Sequence, residues 1–305
     1  METLFPWIGV ISLILIFLLL DLGVFNRVPH TISIKEAFRS SLLWISIALF
    51  FNCFLWYWRG KEPALAFFTG YLLEKLLSLD NMFVFVMIFK FFKIAPPHQH
   101  RILFWGILGA IVFRLFLIII GIKLIETFDW ILYLFGALLI YSSYKIFRER
   151  NQLAEIETNA FILWIKKWIP LRENYKGRRF FLHINGKWFV IPTFLVLSTI
   201  EVSDIIFAID SIPAIFAITL DPFIVFTSNI FAILGLRSLY FLLAQAILRF
   251  YYLQHAISVL LGFVGFKLIF NHHLKISLEF SLGFIVFTLT IAIFASLWKN
   301  KHKNP

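Results

Sequence analysis

Long apolar runs, separated by short polar or basic segments, fill most of this 305-residue chain. A helix that crosses a bilayer needs about 20 mostly apolar residues, and runs of that kind recur along the whole sequence. They lie near residues 5–25, 38–57, 64–90, 101–123, 129–147, 190–218, 223–247, 251–270 and 279–298. The pattern predicts an all-α, polytopic transmembrane protein with about nine spans, which forms a single transmembrane domain over residues 1–305.

Composition supports this fold class. Apolar residue types make up 61% of the chain, which leaves too few polar residues to cover the surface of a soluble core. The first apolar run lacks the basic leading segment and the small-residue cleavage site of a secretory signal. We therefore expect this run to be retained as a helix.

Basic residues are distributed unevenly between the predicted loops. When the spans are threaded in order, most of the 28 Lys and Arg residues fall on one side, and the largest group lies in the segment 148–187. Because cytoplasmic loops collect positive charge, this distribution predicts an outside N-terminus and a cytoplasmic C-terminus. The net charge of +11 then indicates anionic lipid headgroups as partners, and no nucleic-acid partner is expected.

Clusters of acidic residues interrupt two of the apolar runs, and small polar residues follow some of these acidic residues. An ionised carboxylate at mid-bilayer costs about 2.5 to 3.5 kcal/mol on insertion scales, so such groups require a cation or protons. All eight histidines lie outside the runs or at their ends, and oxygen-rich sites suit Mg²⁺, Ca²⁺ or Mn²⁺. The residues that we expect to form a cation site are Glu74, Asp80, Asn81, Glu201, Asp204, Asp210 and Ser211.

The two acidic runs begin similar units, at 64–147 and 190–270. In each unit the acidic run is followed by a helix with a central arginine, Arg114 or Arg237, and then by a helix that ends in lysine. Three spans per unit reverse the direction of the second unit, so we predict an inverted-topology repeat with the site between the copies. The two arginines can pair with buried carboxylates or act as competing counter-ions that help to release a transported ion.

The spacing of the second acidic group limits its geometry. Asp204 and Asp210 are about 120° apart around a regular helix and about 9 Å apart along it, so one ion can contact both only after a helix break or with a partner helix. Pro213 favours a break, because its ring clashes with the carbonyl of residue 209. The first acidic run has no Pro or Gly between residues 72 and 90, so a continuous helix is expected there.

Asp21 lies deep in the first apolar run. Two interpretations stay open for this carboxylate. It is either a further ligand of the cation site or a group that reaches the cytoplasmic interface near Arg27.

The segment 148–187 is the only long stretch outside the apolar runs. Apolar residues flank Asn185-Gly186, which is a strong signal for a two-residue turn and predicts a hairpin at 180–191. The chain contains no HExxH, GxSxG, P-loop or CxxC motif, and Cys53 is its one cysteine. We therefore expect a protein that is not an enzyme and that holds no tightly bound cofactor.

Three motifs of the chain resemble those of the TerC/Alx family of integral membrane proteins. They are EKLLSLDNMFVF at 74–85, SDIIFAIDSIPA at 203–214 and SNIFAILGLR at 228–237, and the similarity runs from Asp21 to the eighth apolar run. The resemblance implies a bacterial inner-membrane protein of a family named for tellurium resistance, with members linked to manganese export and to a suggested redox-modulating role. By motif position it implies that the seven residues of the expected cation site line a cation route. The candidate accessory residues are Asp21, Arg114, Arg237 and Asn229.

We expect a secondary transporter that exports Mn²⁺ or a related hard divalent cation, coupled to protons or to the membrane potential. A second hypothesis is a carrier of an oxyanion such as tellurite, or of an organic cation, with Arg114 and Arg237 as substrate ligands. A third is a non-transporting membrane scaffold or a redox or stress-response protein, with the basic segment 148–187 as its partner surface. The oligomeric state stays open, and a homo-oligomer is compatible with the sequence.

Overall fold

The computed structural model describes residues 4–23, 33–92, 94, 96–128, 130–148, 181–184, 187–190, 192–246, 252–270 and 276–303. The helices of the first half are α1 (Leu4–Gly23), α2 (Ile34–Arg59), α3 (Lys61–Phe91), α4 (Pro96–Thr127) and α5 (Ile131–Arg148). Two short strands follow, β1 (Phe181–Ile184) and β2 (Lys187–Val190). The helices of the second half are α6 (Pro192–Phe216), α7 (Pro222–Leu234), α8 (Leu236–Ala246), α9 (Leu253–Ile269) and α10 (Leu278–Lys303).

Every apolar run of the sequence contains a helix, and the all-α polytopic fold class is confirmed. In the described part of the chain, four helices are long and apolar enough to cross a bilayer: α2, most of α4, α5 and α10. Helices α7 and α8 form a fifth such element if they are taken as one span, although they are bent by 43° where they meet. The exact number of spans and the inverted relation between units 64–147 and 190–270 stay predictions.

The two strands pair in an antiparallel sheet, with Phe181 opposite Val190 and Ile184 opposite Lys187. They flank the Asn185-Gly186 pair on which the hairpin prediction rests. That pair and residues 149–180 lie outside the described residues.

Helix α7 forms the centre of the bundle. Its residues from Phe223 to Leu234 are all buried, including the polar residues Thr227, Ser228 and Asn229. Asp221 caps its start, since the Oδ1 atom accepts the amides of Phe223 at 2.9 Å and Ile224 at 3.3 Å. Helices α2, α3 and α4 pack against α7, and α6 packs against α3 and α4.

The outer faces of the bundle expose large apolar side chains. On α2, Phe50 is 79% exposed and Tyr57 is 93% exposed, and on α10 Phe287 and Phe294 are also exposed. Exposed apolar surface of this extent is unusual for a soluble monomer. It fits a surface that faces lipid.

Helices α5 and α9 approach each other closely through small residues. A Cβ atom on Gly136 would lie 2.9 Å from the carbonyl oxygen of Gly265, and a Cβ on Gly265 would lie 2.8 Å from that of Gly136. Nearby, the hydroxyls of Ser143 and Ser258 each donate to the other residue's carbonyl at 2.7 Å. Small residues commonly permit such backbone contact between membrane helices.

The prediction of a helix break at Pro213 is wrong. Helix α6 continues through Pro213 to Phe216, because the proline lies in the last turn, where the loss of one hydrogen bond leaves the preceding helix intact. The continuous helix expected in the first unit is confirmed, since α3 runs without interruption from Lys61 to Phe91. The break in the second unit lies instead at Gly235, between α7 and α8.

Candidate functional site

Arg114 of α4 is fully buried, and all three of its guanidinium nitrogens donate to side chains of other helices. Its Nε and Nη2 atoms donate to Oδ2 and Oδ1 of Asp204 at 3.3 and 3.2 Å. The Nη1 atom donates to Oε1 of Glu74, to the Ser211 hydroxyl at 3.2 Å and to Oδ1 of Asn229 at 3.0 Å. These five residues, from α3, α4, α6 and α7, are called the Arg114 cluster below.

Helical spacing explains how the cluster forms. Asp204 and Ser211 are seven residues apart on α6, which places both side chains on one face, two turns apart. Glu74 of α3 is buried beside them, and its Oε2 atom accepts the Nδ2 amide of Asn229 at 3.4 Å. The amide of Asn229 therefore bridges the carboxylate of Glu74 and the guanidinium of Arg114.

The charges of the cluster do not balance. Glu74 and Asp204 supply two negative charges when both are ionised, and Arg114 supplies one positive charge. Lys75 is next to Glu74 in the chain, but its ammonium donates to the backbone carbonyl of Ala232 at 3.0 Å. A buried cluster with this composition favours the uptake of a proton or of another cation.

Glu201 adds a third carboxylate one turn before Asp204. Its carboxylate packs on Gly109 of α4, where a Cβ atom would overlap it. Its buried Oε2 atom has no hydrogen-bond partner among the described residues. Buried polar atoms normally have a partner, so this oxygen is a candidate acceptor for a proton or a cation.

Asp210 does not join the Arg114 cluster. It faces α5, where its Oδ1 atom accepts the hydroxyl of Ser142 at 2.9 Å, and it interacts electrostatically with Lys145. The reason is the six-residue offset from Asp204, which turns the two carboxylates toward different neighbouring helices. The structure therefore places Asp210 apart from Asp204 and the Arg114 cluster, and its part in a cation site stays a prediction.

The remaining expected residues lie on α3 and α1. Asn81 is buried on α3, seven residues after Glu74 and thus on the same helix face. Asp80 lies within α3 and Asp21 within α1, and both side chains fall outside the described residues. Among the described residues, no group of three Asp, Glu, His or Cys side chains could hold a metal ion.

A small cavity lies beside the cluster. Asp204 lines it, so this carboxylate borders both the cavity and the guanidinium of Arg114. The other lining residues are mostly apolar, and Arg237 and Tyr240 of α8 add polar groups to the wall. Arg237 thus lines the cavity and is not a member of the Arg114 cluster.

Three residues near the site were not singled out in the sequence as functional: Lys75, Gly109 and Ser142. Lys75 is adjacent to Glu74, and a lysine within an apolar run is itself a signal. Gly109 and Ser142 carry no such signal, because their importance depends on which helix packs against them.

Comparisons with known proteins identify relatives that are membrane proteins, as the apolar helical structure indicates. Residues 59–304 match the family model described as "Integral membrane protein TerC family". An uncharacterized membrane protein of Myxococcus xanthus is 47% identical over 296 residues, which cover 97% of this chain and 93% of that protein.

Two further relatives are named "Putative membrane-bound redox modulator Alx". The protein of Escherichia coli K12 is 40% identical over 96% of this chain and 94% of its own length. The protein of Salmonella typhi is 40% identical over 98% of this chain and 95% of its own length. No solved structure matches the chain. The family model and these relatives cover most of the sequence, and the chain therefore belongs to the TerC family of integral membrane proteins.

Proposed function

We propose that this protein is a secondary transporter that exports Mn²⁺ or a related hard divalent cation, coupled to protons or to the membrane potential. The observation that supports this most is the burial of Glu74 and Asp204 around the single guanidinium of Arg114. Two carboxylates, a hydroxyl and an amide oxygen surround one position. These oxygen atoms suit a hard cation. The guanidinium of Arg114 already neutralises part of their negative charge.

Arg114 acts in this mechanism as a tethered cation. A divalent ion that reaches Asp204 from the cavity displaces the guanidinium and takes over the oxygens of Asp204 and Glu74. Ser211 and Asn229, which now accept from Nη1 of Arg114, supply further oxygen ligands. The return of the guanidinium to the carboxylates releases the ion, so the cluster is never left without a counter-ion.

Protons enter the mechanism through the same carboxylates. A protonated carboxylate is a poor cation ligand, so cation binding releases protons and weakens at low pH. Glu201, with a carboxylate oxygen that lacks a partner in the described structure, is a candidate for carrying a proton beside the site. Exchange of protons for the divalent cation couples export to the proton gradient.

The geometry of Arg114 argues against an oxyanion as the substrate. All three guanidinium nitrogens donate to oxygens of the protein, so an anion such as tellurite would have to displace at least one carboxylate. It would then lie beside the negative charge that it displaced. A cation at the same position would instead be attracted by the carboxylates of both Glu74 and Asp204.

We propose a bacterial inner-membrane location, which the resemblance to the TerC family implies, with the N-terminus outside and the C-terminus in the cytoplasm, which the Lys and Arg distribution predicts. The name of the Alx relatives refers to redox modulation, but this chain has no pair of cysteines for a disulfide of its own. Cys53 is its one cysteine, and a thiol–disulfide couple within the chain requires two.

Transport by purified protein in liposomes tests the proposal. Uptake of Mn²⁺, Mg²⁺, Ca²⁺ and Zn²⁺ is measured with and without an imposed pH gradient, and empty liposomes provide the background. We expect Mn²⁺ uptake above background, stimulated by the gradient. Uptake of tellurite without uptake of any of the four cations would instead support the oxyanion carrier.

A further inference from the structure

The break between α7 and α8 leaves backbone carbonyls of α7 without their usual partners. In a continuous helix the carbonyl of Ala232 would accept the amide of residue 236. Here α7 ends at Leu234, the amide of Gly235 donates to the carbonyl of Ile233, and the chain turns by 43° into α8. A helix end that is buried in this way requires other donors.

Lys75 provides such a donor from α3. Its ammonium donates to the carbonyl of Ala232 at 3.0 Å, so a cation stands at the C-terminal end of α7, where the helix dipole favours positive charge. The ring of Tyr71, one turn earlier on α3, lies 5.9 Å from the same ammonium. Lys75 is thus a side-chain cap for a helix that belongs to the other half of the chain.

Gly235 leaves room for this arrangement. A Cβ atom at Gly235 would lie 2.7 Å from Nζ of Lys75 and 3.1 Å from Cβ of Trp44. A side chain at this position would therefore displace the ammonium or the indole. Because Gly235 has no side chain, Trp44 of α2 and Lys75 of α3 can both pack against the bend between α7 and α8.

The cap is connected to the Arg114 cluster. Glu74 and Lys75 are consecutive on α3, and each binds α7: Glu74 accepts from Asn229 at 3.4 Å, and Lys75 donates to Ala232. These two contacts on α7 are three residues apart, almost one helical turn. They hold the end of α7 against α3 at two points, one within the cluster and one at the break.

We propose that Lys75 is a positioning residue for the cation site, a role that rests on the proposed transport function. Its contact with Ala232 fixes the end of α7, so that Asn229 faces Glu74 and Arg114. It also fixes the angle at which α8 leaves the break, and α8 carries Arg237 and Tyr240 in the wall of the cavity. Lys75 thereby links cation binding in the cluster to the position of the cavity wall.

The test uses cysteine labelling at the cavity. Cys53, which is exposed on α2, is replaced by serine, and Leu236→Cys then places a single thiol in the cavity wall just after the break. The rate of reaction with a water-soluble thiol reagent is measured with and without Mn²⁺ in detergent-solubilised protein. The variants are Lys75→Met, Lys75→Arg, Gly235→Ala and, as a matched control, Lys123→Met, which removes an exposed lysine of α4.

With Lys75 present, we expect Mn²⁺ to change the labelling rate of Leu236→Cys. With Lys75→Met or Gly235→Ala, we expect a raised rate without metal, little response to Mn²⁺ and an affinity for Mn²⁺ lower by about tenfold, which is typical of a coupling free energy between two sites. Lys75→Arg, which keeps a cationic donor, is expected to retain most of the response. Lys123→Met is expected to behave like the parent protein.

Two outcomes separate this proposal from the transport function. If the parent protein transports no divalent cation, the proposed function fails, but the metal-free labelling rate of Lys75→Met still reports whether Lys75 holds the break. If Lys75→Met keeps both the parent labelling rates and the parent Mn²⁺ affinity, the positioning role is overturned. Should Lys75→Met not fold, Lys75→Arg and Gly235→Ala decide the question in the same assay.

Discussion

Arg114 and Asp204, 90 residues apart in the chain, form a two-point ion pair in the interior of the bundle. Nε and Nη2 of the guanidinium donate to the two carboxylate oxygens at 3.3 and 3.2 Å. Paired hydrogen bonds of this kind fix orientation as well as distance. Since Asp204 also lines the cavity, this pair is where a cation from the cavity would first compete with the protein's own charge.

Removal of the guanidinium is expected to destabilise the protein. Arg114→Met leaves Glu74 and Asp204 buried without their counter-ion, and loss of one partner of a buried pair costs about 3 to 5 kcal/mol. We expect a lower thermal midpoint and no transport. The double variant Arg114→Met with Glu74→Gln removes one of the two carboxylate charges and should recover part of the stability.

The matched control for Arg114→Met is Lys123→Met, which removes an exposed cation from the same helix. It should leave the thermal midpoint unchanged. Equal stability of Arg114→Met and the parent protein would contradict the assignment of Arg114 as the counter-ion of both carboxylates.

The two aspartates of α6, Asp204 and Asp210, are expected to differ in their effect on Mn²⁺ binding. Asp204→Asn removes a charged ligand from the cluster, and loss of a buried charge partner costs about 2 to 5 kcal/mol, so Mn²⁺ binding should weaken more than tenfold. Asp210→Asn changes a residue that binds Ser142 on α5, and Mn²⁺ affinity should stay close to that of the parent protein. Titration calorimetry measures both affinities.

Glu126→Gln, which removes an exposed carboxylate of α4, is the control for Asp204→Asn and Asp210→Asn. Both Asp variants should reach the membrane at nearly normal levels, because the substitution removes a charge that is costly to bury. A stronger loss of affinity in Asp210→Asn than in Asp204→Asn would show that the cation binds nearer to α5.

Much of the fold could be predicted from the sequence. The positions of the helices follow from the apolar runs alone, and the divergence of Asp204 and Asp210 follows from their six-residue offset. The break at Gly235 was missed because a glycine within an apolar run is weak evidence by itself, whereas Pro213 is a stronger signal that proved misleading. Its place in the last turn of α6 made it harmless.

The partners of the buried charges could not be predicted. The sequence indicates that Glu74 and Arg114 each need a counter-charge, but the acceptors of Arg114 come from α3, α6 and α7. Which side chains meet depends on the packing of helices that are distant in the chain. For the same reason, Ser142 and Gly109 gave no signal before the structure placed Asp210 and Glu201 against them.

Close packing of α5 and α9 gives a prediction about stability. Gly265→Ala would place a methyl group 2.8 Å from the carbonyl oxygen of Gly136, and overpacking of this kind typically costs about 1 to 3 kcal/mol. We expect a lower thermal midpoint in detergent. Gly283→Ala on α10, where a Cβ atom would have no neighbour within 4 Å, should leave the midpoint unchanged.

Transport should depend on pH in a defined direction. Protons and metal compete for the carboxylates of the Arg114 cluster, so metal loading increases as these groups lose protons. We expect the initial rate of Mn²⁺ uptake to rise between about pH 6 and pH 8 when no gradient is imposed. A rate that falls over this range would contradict direct competition at the carboxylates.

The most direct test of the proposed mechanism is simultaneous measurement of Mn²⁺ and proton flux in liposomes that contain the purified protein. We expect the entry of Mn²⁺ to be accompanied by the exit of protons, and both fluxes to be lost in Asp204→Asn. Collapse of the pH gradient and the membrane potential by ionophores should slow Mn²⁺ accumulation. Mn²⁺ transport that persists in Asp204→Asn, or that moves no protons and ignores the ionophores, would contradict proton-coupled export through the Arg114 cluster.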